Sequence, residues 1–174
     1  MPRRGDAMGA VSVVPARLDW LEALAEGDDV FTARFGIAVE PDWAGFPEAI
    51  PHAVASARRR SEDPWGSQLF FDGVDGALIG FGGFKDVPRD GDVEIGYAVA
   101  PARQGRGIAT AVVGILLERA VAAGVATVSA HTLGTDNPST AVLRRCSFQR
   151  VAELDDPELG LIWRWELAVD AAGR

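Results

Sequence analysis

Val93-Glu94-Ile95-Gly96-Tyr97-Ala98-Val99-Ala100-Pro101-Ala102-Arg103-Gln104-Gly105-Arg106-Gly107-Ile108-Ala109 decides the fold. It reads as a strand that runs through Pro101 into a glycine-rich turn, and the turn opens a helix carrying Ile108, Val112, Ile115 and Leu116 on one face. The first backbone N–H groups of a helix have no partner inside it and favour anions. Gly105 and Gly107 let a phosphate approach the main chain with no Cβ in the way, and Arg103 and Arg106 add positive charge. Val113, Leu117 and Val121 give the helix a second apolar side, as expected of one covered by both a sheet and another element.

Two familiar phosphate-binding turns fit poorly. A P-loop needs a lysine followed by serine or threonine after its last glycine, and no lysine stands near this turn. A dinucleotide fold needs a small residue at 110 and an acid about twenty residues later, where Thr110 and then Ala130 and His131 stand. A tight strand-to-helix turn without a ligand is the remaining alternative.

Upstream, residues 11–14 read as a strand and Leu18, Leu21 and Leu24 as a helix. Residues 49–60 read as a second helix, ending in three arginines that suit a helix C-terminus. The intervening region, with Gly36, Pro41, Gly45 and Pro47, reads as a loop carrying Phe35, Trp43 and Phe46. Residues 68–71, 77–84 and 93–99 form an antiparallel meander punctuated by Asp-Gly and Pro-containing turns. After the helix at about 107–122 come a strand (125–132), a helix (137–145) and two closing strands (148–153 and 161–169). The expected architecture is α/β (α+β): a mixed, mostly antiparallel sheet of six to seven strands flanked by helices, in a single domain spanning 1–174 with residues 1–10 flexible.

Composition narrows the function. The 174 residues carry a formal charge of −8, distributed unevenly: residues 1–100 have 9 basic and 17 acidic side chains, residues 101–150 have 6 and 2, and residues 151–174 have 2 and 6. A basic island in an acidic protein argues against nucleic-acid binding and for a small anion at the island. One cysteine, Cys146, and two histidines, His52 and His131, supply neither a disulfide nor a structural zinc site, and no metal is expected. No apolar run reaches the length of a membrane span, and a cytoplasmic location is expected. Lys85 is the only lysine, read as background composition.

Gln104-Gly105-Arg106-Gly107-Ile108-Ala109 resembles the Gln/Arg-x-x-Gly-x-Gly/Ala signature of the GNAT N-acetyltransferases. His131-Thr132-Leu133, Asn137-Pro138-Ser139-Thr140 and Val142-Leu143-Arg144-Arg145-Cys146-Ser147-Phe148 resemble that family's second motif, in its ribosomal-protein N-terminal acetyltransferase-like branch. The resemblance implies a GNAT fold, with a splay between the fourth and fifth strands that receives acetyl-CoA. It places the pyrophosphate at Arg103, Gln104, Gly105, Arg106, Gly107, Ile108, Ala109 and Thr110, and the pantetheine arm along Ala98 and Val99. The thioester falls near Glu94 and Tyr97, and Asn137 and Arg144 lie along the cofactor. It further implies an amine acceptor, a small molecule or a protein N-terminus, with a homodimer among the assemblies the family allows.

Acetyl transfer to an amine requires a neutral amine and a proton for the departing thiolate, so a carboxylate able to draw off a proton is useful. Glu94 is the candidate base. Ser139, where some relatives use a serine, and Tyr97, the only tyrosine, are candidate donors; Ser139 is equally read as a helix cap and Tyr97 as cleft lining. Leu143 stands where the family often has a tyrosine, and Ser147 where it usually has glycine. His131 is read as a base or, more ordinarily, as a hydrogen-bonded structural residue. Trp43, Phe46, Trp65, Phe81 and Phe84 are candidate walls of an acceptor cleft, which the acidic charge of residues 1–100 suits to a cation. The alternative from another class is a non-catalytic acyl-CoA-binding or sensor module, and a donor larger than acetyl also fits the motifs.

Overall fold

The computed structural model describes residues 11–169, so residues 1–10, expected to be flexible, lie outside it. The described elements, in order, are β1 (Val11–Pro15), α1 (Leu18–Glu26), α2 (Asp28–Phe35), α3 (Ala49–Arg59), β2 (Ser67–Asp72), β3 (Leu78–Phe84) and β4 (Asp92–Val99). They continue with α4 (Ile108–Ala122), β5 (Thr127–Leu133), α5 (Pro138–Arg145), β6 (Gln149–Asp156) and β7 (Gly160–Ala168). The strands form one seven-stranded sheet in the order β1-β2-β3-β4-β5-β7-β6. All neighbouring pairs are antiparallel except β4 and β5, which run parallel because α4 connects them as a crossover.

Each sheet face has its own core. Phe70, Ile79, Val93, Ile95, Val99, Val128 and Trp165 pack with α4 residues Val112, Val113 and Leu116 and with Leu143 of α5. On the opposite face Leu69, Leu78 and Phe81 pack with Leu21 and Leu24 of α1, Phe31 of α2 and Ile50 and Val54 of α3. Alternation along each strand separates the two sets. Arg119 anchors α4 across the first face, donating to the Val13 carbonyl at 2.6 Å and to Gln68 Oε1 at 3.0 Å.

α2 corrects the expectation of a loop after α1. Gly27 ends α1 at φ 154°, and Asp28 and Asp29 then sit in a new first turn, where negative charge suits the helix dipole. Phe31 is the only buried residue of α2, too little to draw an apolar stripe in the sequence.

The β4–β5 pairing is short. It comprises Asp92↔Thr127, Val93↔Val128 and Glu94↔Ser129, whereas β4 stays paired with β3 as far as Val99. Beyond Glu94 the two parallel strands diverge, forming the expected fork between the fourth and fifth strands.

Candidate active site

The turn after β4 closes one end of the fork. Pro101–Arg103 form a short 3₁₀ turn, followed by Gly105 and Gly107 at φ 74° and 76°, left-handed conformations in which a side chain is strained. A Cβ added at either glycine meets nothing within 4 Å, so the turn faces open space. α4 has no side-chain cap, and its ladder begins with Ala111 N–H donating to the Gly107 carbonyl at 3.0 Å. The preceding amides of Ile108, Ala109 and Thr110 therefore point into that space as helix-start donors. Amides of this kind on an open glycine turn fit a pyrophosphate.

The side chains of this turn divide into anchors and a free cation. Gln104 Nε2 donates to the Val99 carbonyl at 2.9 Å, fixing the turn to the strand it leaves. Arg103 was expected to supply charge to the anion. Instead its guanidinium is engaged by three carboxylates: Glu40 at 2.8 Å, Asp72 at 2.7 Å and Asp75 at 2.9 Å. Arg106 is exposed and makes no ion pair among the described residues.

Glu94 stands at the throat of the fork, on its last rung. Its Oε1 accepts from Lys85 Nζ at 2.5 Å and lies 2.7 Å from Nδ1 of His131. Lys85 is its cross-strand neighbour, with the Lys85 N–H donating to the Glu94 carbonyl at 2.9 Å. Burial raises the affinity of this carboxyl for a proton, but Lys85 and His131 together outweigh burial and hold it below its ordinary value. The lone lysine, read as background, thus touches the candidate base. Beside this cluster opens a depression of about 260 Å³, in which Asp86, Asp92 and Glu94 face Lys85 and Arg89.

Tyr97 projects from the other face of β4 and reaches across the fork to α5. Its hydroxyl donates to the Ser139 carbonyl at 3.4 Å, and burial pushes the phenol well above its ordinary value, keeping it protonated. Asn137 and Thr140 form a capping box: Thr140 N–H donates to Asn137 Oδ1 at 3.1 Å and Asn137 N–H to Thr140 Oγ1 at 3.0 Å. The cap is therefore Asn137, not Ser139, and the Asn137 side chain, expected along the cofactor, is committed to it. Arg144 pairs with Asp136 at 2.8 Å and stacks on Trp165, 5.3 Å from the ring centre. Leu143 is fully buried under α5, and Ser147, standing where glycine was expected, has φ 68°.

Of the aromatic residues expected to wall an acceptor cleft, Trp43, Phe81 and Phe84 are core and Trp65 is packed against Phe84, whereas Phe46 is 61% exposed. Its loop lies against β4, since a Cβ at Gly45 would meet Ala98 Cβ at 2.5 Å.

This fold is shared by solved structures. The ribosomal-protein-S5-alanine acetyltransferase from Vibrio fischeri matches with TM-score 0.66 and 14% identity, covering 93% of this chain and 94% of that one. YncA from Salmonella typhimurium, solved with its cofactor acetyl-CoA, matches with TM-score 0.64 and 18% identity, covering 95% of this chain and 97% of that one. The spermidine/spermine N-acetyltransferase SpeG from Vibrio cholerae gives TM-score 0.68 and 12% identity over 94% and 95%. No curated protein matches the sequence. The acetyltransferase (GNAT) family profile matches residues 31–148, from α2 through α5 to Phe148. The chain belongs to the acetyltransferase (GNAT) family.

Proposed function

We propose that this protein is an acetyl-CoA-dependent N-acetyltransferase that acetylates a primary amine by direct transfer in a ternary complex. The observation that carries the reading is the fork itself. Two parallel strands part immediately after Glu94, with an open glycine turn and free helix-start amides at one end and a charged carboxylate at the other. The turn of Gly105 and Gly107, with the amides of Ile108, Ala109 and Thr110 and the guanidinium of Arg106, would hold the pyrophosphate. Main chain near Ala98 and Val99 would pair with the pantetheine arm as an added strand. Acetyl-CoA supplies a thioester carbonyl as electrophile and a thiolate as leaving group.

The Glu94 carboxylate draws the ammonium toward the fork and promotes loss of its proton. Tyr97, kept protonated by burial, would turn its hydroxyl from the Ser139 carbonyl, which accepts it in the free protein, to donate to the departing sulfur. Arg103 and Gln104 hold the turn, while Asn137 and Arg144 order the start and face of α5. The acceptor is a cationic amine, a peptide N-terminus or a small polyamine, since Asp86, Asp92 and Glu94 outnumber Lys85 and Arg89 around the depression at the throat. SpeG and the S5-alanine enzyme, named for such amines, lend this class support.

The test is Glu94→Gln with acetyl-CoA and a panel of amines. Unchanged acetyl-CoA affinity with turnover reduced ~100-fold or more is expected when the charge that promotes proton loss is removed. Turnover at the wild-type rate contradicts the assignment of Glu94.

A further inference from the structure

Building on the acetyltransferase reading above, we propose that the proton of the incoming amine passes to Nε2 of His131, and that Glu94 is the positioning residue for that imidazole, itself held by Lys85. The register places the three together. Glu94 faces Ser129 on the last β4–β5 rung, and His131, two residues further along β5, projects from the same face where β4 has already diverged. Its ring reaches back to Glu94 with Nδ1 2.7 Å from Oε1. A carboxylate only accepts, so the ring proton of the neutral imidazole sits on Nδ1 and the lone pair on Nε2. Nε2 has no hydrogen-bond partner among the described residues, and the side chain is 21% exposed beside the fork.

The charges around the pair assign the roles. Glu94 accepts from both Lys85 and His131, which makes it a weaker base than a free carboxylate but a firm acceptor for Nδ1–H. An imidazole is the side chain best matched to proton transfer near neutral pH. Facing the ring from neighbouring strands are Arg164, directly opposite on β7, its partner Glu166 at 2.9 Å, and Asp156 at the end of β6. The Arg164 charge is thus already paired, and Glu94 is left to stabilise the imidazolium.

In the step itself, one ammonium N–H bond breaks and Nε2–H forms. The amine lone pair then makes the C–N bond to the acetyl carbon as the C–S bond breaks. A second amine proton ends on the sulfur, and the imidazolium returns its own proton to solvent, so the sum is amine cation plus thioester giving amide, thiol and one proton.

Nitrogen-resolved NMR of the histidine rings in the free protein tests the geometry, with His52, the only other histidine, removed by His52→Gln. A neutral His131 protonated on Nδ1, shifting to a tautomer mixture in Glu94→Ala, is expected; protonation on Nε2 overturns the proposal. Kinetically, His131→Gln is expected to lower kcat ~100-fold with the acetyl-CoA KM little changed, and added imidazole to restore part of the turnover of His131→Ala. His131→Gln turning over normally while Glu94→Gln is inactive overturns the role of His131 and leaves the acetyltransferase reading intact. Absence of turnover by the wild-type protein with any amine overturns both.

Discussion

Arg103 Nη1 donates to a carboxylate oxygen of Asp72 at 2.7 Å, joining the turn after β4 to the end of β2. Glu40 and Asp75 complete a three-carboxylate clamp on the same guanidinium, and the Arg103 side chain is only 15% exposed. The basic island of the sequence therefore opens with a residue whose charge is consumed inside the protein. What remains for an anion at the turn is Arg106 and the amides of α4.

Arg103→Ala is expected to leave Asp72, which is 8% exposed, without its cation. Breaking a buried pair costs about 3–5 kcal/mol; with Asp75 half exposed, about 2 kcal/mol is expected here, a fall in Tm of roughly 4–8 °C. Loosening of the turn should raise the acetyl-CoA KM several-fold with kcat preserved, which steady-state kinetics on the folded variant will show. An unchanged KM means that the turn does not depend on the clamp.

Gly107→Ala separates backbone conformation from packing. The added Cβ meets no atom within 4 Å, so the variant should fold, destabilised by about 1–2 kcal/mol from the positive φ. The methyl group stands where the phosphates are proposed to approach. Acetyl-CoA affinity measured by calorimetry should therefore fall by ~tenfold or more, equivalent to at least about 1.4 kcal/mol.

Ser147 offers a stabilising change. It adopts φ 68° just after α5, where its N–H donates to the Arg144 carbonyl at 3.0 Å. Glycine holds this conformation without a steric penalty. Ser147→Gly should gain up to about 1 kcal/mol, a rise in Tm of roughly 2–4 °C in a thermal melt, with acetyl-CoA binding unaffected.

The Glu94 cluster predicts a pH dependence. Its carboxyl is held below its ordinary value of 4.5 in the folded protein, so the unfolded chain takes up the proton first as the solution is acidified. The stability that Lys85 and His131 confer through it is fully present above that value and is lost as pH falls through the folded one. The stability gap between wild type and Glu94→Gln, measured by urea denaturation, should narrow progressively below pH 4.5 as the carboxyl takes up its proton.

The strand, turn and helix at 93–122 were readable because each carries a local signal: β-rich residues, two glycines requiring positive φ, and apolar residues at helical spacing. The fork followed from the family resemblance that these residues support. α2 was not readable, since only Phe31 is buried and no stripe forms. Arg103 was assigned to the anion because its three carboxylate partners lie 28 to 63 residues away, beyond any local pattern. Lys85 reads as background composition for a similar reason, because its pairing with Glu94 depends on the β3–β4 register. His131 reads in the sequence chiefly as a structural histidine, and only the parallel register of β4 and β5 brings it to Glu94.

The most direct test is mass spectrometry of the products after the 174-residue protein is incubated with acetyl-CoA and a panel of peptides and small primary amines, with release of free thiol followed in parallel. Amide products bearing one acetyl group, formed in step with the thiol and favouring cationic acceptors, are predicted. Acetyl-CoA binding with no acetylated amine and no thiol released would contradict the account and identify the protein as a binding module.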